Sequence, residues 1–245
     1  MRRTSPTGSG RRHMRRTRLG CFEEMAFNAE TRALVDGYAR NDLAGDLSDH
    51  IAFFSFLSNS DLRRRVGEEY FSARYIYKLL EGLQLQEDWG TRAQVQLQVQ
   101  QYASIYEACI HHLLFDRCGE RPQVQELLHQ PTLKEWSVSP QLSAQIDVAT
   151  AGASGSGIAA FRTQIAITAE RVRFEHKADV AAELGIIEPA LAAELKEFYT
   201  ARNMIHIHAE LKKGADWQWE LDLSRRAYLR LEKFRDQVLA WQQTP

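Results

Sequence analysis

The sequence is poor in cysteine, in proline and in uninterrupted apolar runs. Three cysteines, Cys21, Cys109 and Cys118, stand in 245 residues. An odd, sparse set without C-x-x-C spacing argues against a disulfide framework and against a cysteine-held zinc ion. No apolar stretch reaches the roughly 18 residues that a membrane span requires. Glycine-rich phosphate loops are missing too: GASGSG at 152–157 has no following lysine and reads as a flexible turn. Histidine pairs at metal-binding spacing are also lacking. His206 and His208 diverge by about 200° on a helix, and His111 and His112 are adjacent, whereas helical zinc pairs need i, i+4. The expectation is a soluble protein of a reducing compartment, the cytoplasm, with no metal and no cofactor.

Net charge is nearly absent, at −1, but it is unevenly spread. Residues 1–18 hold seven arginines and no acid; setting these aside, 24 bases face 32 acids. A head of Arg, Pro, Gly and Ser buries too little to fold alone, so residues 1–20 are expected to be a disordered basic segment. It lacks the apolar run of a secretion signal. Three readings remain: a phosphate-binding arm, a transit peptide, or translated upstream sequence with Met14 or Met25 as the start. The last is favoured.

What the sequence does have is helical period nearly throughout. Helices are expected at 22–41, about 46–57, from a cap at Ser60 or Asp61 to Gly82, from near Gly90 to Cys118–Gly119, and at 121–129. In the fourth of these, Val99, Tyr102, Tyr106, Cys109 and Leu113 recur at steps of three and four. Residues 131–156, with two prolines and ATAGASGSG, read as a linker loop. Residues 158–172 fit a helix, with strands at QIAIT and RVRF as the alternative. A short helix then ends at Gly185, and another begins at Glu188–Pro189 and is closed by Gly214. A last helix covers roughly 222–242, with Trp217 and Trp219 in the loop before it. The fold class is an all-α helical bundle. A helical N-terminal part at 21–85 precedes a bundle at 86–245, and the two pack together.

One helix carries a residue out of place. In AELKEFYTARNMIHIHAELKK (193–213), Leu191, Leu195, Phe198, Ile205 and Ala209 form a stripe within about 60° of Arg202. Arg202 occupies a leucine's position in that series. An unpaired charge facing a core is costly. The guanidinium therefore needs a carboxylate partner, a route to solvent along its stem, or a cleft. His206 lies one turn on and Tyr199 one turn back. Asn203 sits at the edge of the stripe.

ARNMIHIH near the end of an all-α chain resembles the signature of the HEPN family of small helical domains. That signature is an arginine, often followed by Asn or Asp, then four to six residues, then histidine. Arg202–Asn203 opens it. His208 satisfies the spacing, whereas His206 is favoured by the helical wheel. The resemblance implies a metal-independent ribonuclease, usually dimeric, and many relatives are toxins or phage-defence effectors with a partner antitoxin. It implies catalytic roles for Arg202, His208, His206 and Asn203 on an RNA substrate, with the RNA 2′-OH as nucleophile and a 2′,3′-cyclic phosphate product. Some HEPN-like domains are non-catalytic binding modules, which is the rival expectation. Glu107 and His111 stand one turn apart in IYEACIHHLLF and read as an acid–base pair, a support for the site or an ordinary surface pair. Tyr199 is a further supporting candidate. The basic run DLRRRV at 61–66 reads as a solvated helix start.

Overall fold

The computed structural model describes residues 27–41, 43–84, 87–135, 139–149, 160–203 and 217–244. The architecture is an all-α bundle, with one two-stranded ribbon among the described residues. In chain order come α1 (Ala29–Asn41), α2 (Leu47–Phe53), α3 (Ser60–Leu83) and α4 (Asp88–His111). A π-helical turn (His112–Arg117), α5 (Pro122–Leu127), β1 (His129–Glu135) and α6 (Pro140–Ala149) follow. Next are β2 (Ala160–Ala166), a 3₁₀ turn (Ala169–Arg171), α7 (Phe174–Glu183), α8 (Pro189–Asn203) and α9 (Trp217–Gln243).

Helix α4 is the axis of the bundle, packed by α3, α7, α8 and α9. The positions that recur at helical spacing go inward: Val99, Tyr102, Tyr106 and Cys109 are buried, as is Leu113 in the turn that follows. Buried residues from Phe54 to Val238 form one continuous cluster. Two hydrogen bonds tie distant parts across it. Tyr106 Oη donates to the Ala227 carbonyl at 2.7 Å, and Gln242 Nε2 donates to the Phe56 carbonyl at 2.9 Å. Among the described residues no helix is long and apolar enough to cross a membrane. Cys109 and Cys118 are buried free thiols.

Local chemistry accounts for most boundaries. Asp46 caps α2 through a reciprocal box with Asp49. Asn59, rather than Ser60 or Asp61, caps α3, accepting from the amides of Asp61 and Leu62 at 3.0 Å. Gly185 adopts φ +70° just beyond α7, a conformation that suits glycine. The basic run at 61–66 is solvated: Arg64 and Arg65 pair with Glu68 and Glu69 one turn on.

Three expectations are corrected. Residues 131–156 are not simply a loop, since β1 ends and α6 begins within them. Residues 160–166 form a strand rather than a helix, pairing antiparallel with β1 from His129↔Ala166 to Glu135↔Ala160. The alternation in QIAIT is the signal that decides there, and cross-strand partners supply what the local 3.6 period cannot. Pro131 is tolerated because both strands of a two-stranded ribbon are edges. Trp217 and Trp219 lie inside α9, not in a loop before it. The expected closure of the RNMIHIH helix at Gly214 falls outside the described residues.

Candidate functional site

The stripe on α8 does what its spacing implies for about two turns. Leu191, Leu195 and Phe198 are at most 1% exposed. Arg202 continues the stripe at the end of α8, where it leaves the core and meets the flank of α4. There Arg202 Nη1 donates to Glu107 Oε2 at 2.5 Å, joining residues 95 apart in sequence. The two side chains remain 29% and 31% exposed. The Arg202 guanidinium also lies 5.2 Å from the Tyr199 ring centroid, and Tyr199 stacks on Phe174 of α7 at 4.6 Å. A carboxylate and an aromatic face thus take the place of apolar neighbours.

This arginine is held differently from its neighbours. Arg226 and Arg230 of α9 each grip an α8 carboxylate with two nitrogens, Glu197 and Glu194 respectively. Arg202 uses one nitrogen on Glu107, and no second bond is made among the described residues. A guanidinium has five N–H donors, so the described residues leave several of those of Arg202 unused on a partly exposed side.

One turn along α4 from Glu107, His111 opens a second pair. Its Nδ1 lies 3.2 Å from Lys177 Nζ on α7. Lys177 is only 1% exposed and has no carboxylate within ion-pair distance among the described residues. Its amine lies 5.7 Å from the Phe115 ring centroid, and the His111 ring is 4.9 Å from the same phenyl. Burial pulls the Lys177 pKa down, against the opposing pull of Glu107 and Glu170. Burial, and then the Lys177 charge, pull the His111 pKa down. An ammonium can only donate, so a protonated Lys177 holds His111 as a neutral imidazole with its proton on Nε2. Burial, then Glu107, push the Tyr199 phenol up.

Of the residues singled out in the sequence, Arg202, Glu107 and Tyr199 come together, and His111 stands beside them. Asn203 is exposed at the end of α8. His206 and His208 lie outside the described residues. Sequence reasoning missed Lys177. Its signal was present: on α7 the buried residues are Phe174, Lys177, Ala178 and Ala181, so this lysine stands on an apolar face as Arg202 does. The adjacent His112 belongs elsewhere, 2.6 Å from Asp116 Oδ2 and 3.1 Å from Ser58 Oγ. Among the described residues no group of three His, Cys, Asp or Glu is placed to hold a metal ion. Comparison with protein-family models, curated proteins and solved structures finds no match.

Proposed function

We propose that this chain is a metal-independent endoribonuclease of HEPN type, acting in the cytoplasm as a homodimer on RNA. A toxin or phage-defence role, with an antitoxin as partner, accompanies that reading. The observation that carries it is the placement of Arg202. It stands in a core stripe yet emerges beside Glu107, Tyr199 and the His111–Lys177 pair, with N–H donors that no described residue takes up. It also directly precedes the segment containing His206 and His208.

RNA carries its own nucleophile, the 2′-OH. A histidine, His206 or His208, takes that proton and returns one to the leaving 5′-oxygen. Arg202 binds the scissile phosphate and stabilises the charge that grows on it. Asn203 contributes a hydrogen bond to the phosphate or to the histidine. Glu107 and Tyr199 orient the guanidinium, and neutral His111 supports Glu107 from the next turn.

The test is cleavage of end-labelled RNA in EDTA by wild type, Arg202→Ala and the double variant His206→Ala/His208→Ala. The reading expects 2′,3′-cyclic phosphate ends and a loss of roughly 10²-fold or more in both variants. Equal cleavage by all three proteins defeats it.

A second reading is favoured by the closed Arg202–Glu107 bond: a non-catalytic binding module in which the pair clamps α8 to α4. It expects no cleavage, and melting temperatures lowered by several degrees in Arg202→Ala and Glu107→Ala alike. A site arginine leaves the melting temperature near that of the parent or raises it.

A further inference from the structure

On another face of the bundle, α3, α4 and α9 line a half-open pocket of about 500 Å³. That lies in the range of small-molecule pockets, about 300–1,000 Å³. Three tyrosines, Tyr77, Tyr102 and Tyr228, line it, with Leu221 and Leu229. Gln94 and Gln98 contribute amides, and Gln98 is fixed by donating to the Ala73 carbonyl at 3.1 Å.

The charge in this pocket is unbalanced. Arg74 is half-buried, with its guanidinium 4.4 Å from the Tyr228 ring centroid and no carboxylate partner among the described residues. Arg225 stands exposed in the lining, also without an ion pair among the described residues. The acid in the lining, Asp222, is already engaged by Arg226 at 3.1 Å. A half-buried guanidinium over an aromatic ring, with no carboxylate on it among the described residues, has room for an anion.

We propose that this pocket binds a small aryl carboxylate, its ring against the tyrosines and its carboxylate on Arg74. The planar fork of arginine matches a carboxylate in two-point contact. One inner cation suits a monoanion better than a phosphate dianion. Three tyrosines and two leucines suit a flat apolar body, and the amides can orient a ring substituent. Arg225 at the mouth draws the anion in. The site is separate from the Arg202 cluster and stands whether or not the chain cleaves RNA.

The experiment titrates the full chain with benzoate, 4-hydroxybenzoate and indole-3-carboxylate, followed by calorimetry and by ligand-observed NMR. The matching amides and the nucleoside monophosphates serve as comparators. The expected result is binding of at least one carboxylate, weakened roughly tenfold or more in its amide and in Arg74→Gln. Arg225→Glu, on the exposed rim where folding is not at stake, weakens the same carboxylate. Silence from all three carboxylates at millimolar concentration overturns the proposal. So does equal binding of carboxylate and amide, a preference for the nucleotides, or full affinity in Arg225→Glu.

Discussion

At the scale of single residues, the two charges on apolar stripes face different physics. Arg202 and Glu107 are each about three-tenths exposed, so water screens their attraction. A double-mutant cycle between Arg202→Ala and Glu107→Ala is expected to give a coupling of about 1 kcal/mol or less, read from denaturant midpoints. Coupling of about 3 kcal/mol or more marks a buried clamp and removes the freedom that phosphate binding needs. Lys177 has no such screening, and its pKa is depressed from the usual 10.5. Between the depressed value and 10.5 the unfolded chain holds more protons than the folded one, so stability rises with pH across that window. Below it both states are protonated and the penalty for the buried charge is present in full. Lys177→Met removes the charge while keeping the stem. It is expected to be more stable than wild type at neutral pH by about 1 kcal/mol, and the gap narrows as pH climbs toward 10.5. Melts at neutral and alkaline pH check this. The same substitution removes the second cause of the low His111 pKa, so the His111 titration midpoint moves up by NMR. No upward movement would mean that the amine and imidazole are not coupled in solution.

At the scale of elements, the long helices were legible because their spacing is unambiguous. Val99 through Leu113 recur with helical period, and that period alone sets α4 and the turn after it. The ribbon was not legible in the same way. Residues 160–166 satisfy a helical spacing and a strand alternation at once, and only pairing with β1 settles the matter. The candidate site divides along the same line. Arg202 announced itself by standing where a leucine belongs, and Glu107–His111 by a one-turn spacing. Lys177 hid within a short amphipathic helix whose depth against α4 is a tertiary fact. The geometry between α2 and α3 is likewise a property of contact. Gly67 has no positive φ to require glycine, yet a Cβ there would sit 2.6 Å from the Ile51 Cα. Backbone cannot yield as a side-chain tip can, so Gly67→Ala must push α2 away from α3. A loss of about 1–3 kcal/mol is expected from urea unfolding. A neutral outcome would show that the two helices do not approach this closely.

At the scale of the whole molecule, the question is whether residues before 86 are an appendage or part of the fold. Phe54, Phe56, Leu57, Val66 and Ala73 belong to the same buried cluster as Leu195, Phe198, Leu231 and Phe234. Phe56 meets Phe234 edge to face at 5.9 Å, and its carbonyl accepts from Gln242 near the other end of the described chain. Tyr70 of α3 lies against Tyr102 of α4 and Tyr228 of α9, at 6.5 and 6.4 Å. Removing α1–α3 strips one wall from α4 and leaves large apolar side chains in water, at roughly 1.5–3 kcal/mol for each one fully uncovered. Several such losses together are comparable with the roughly 5–15 kcal/mol that typically holds a domain together. The full chain is therefore expected to unfold in one transition, coincident by far-UV and near-UV circular dichroism. A fragment of residues 86–245 should keep helical signal but lose near-UV ellipticity and cooperativity, as a bundle without fixed packing does. A fragment that melts sharply on its own, with the near-UV spectrum of the parent, would make the first three helices an addition to a self-sufficient core. It would also free the Arg202 cluster, which lies wholly on α4, α7 and α8, from any dependence on them.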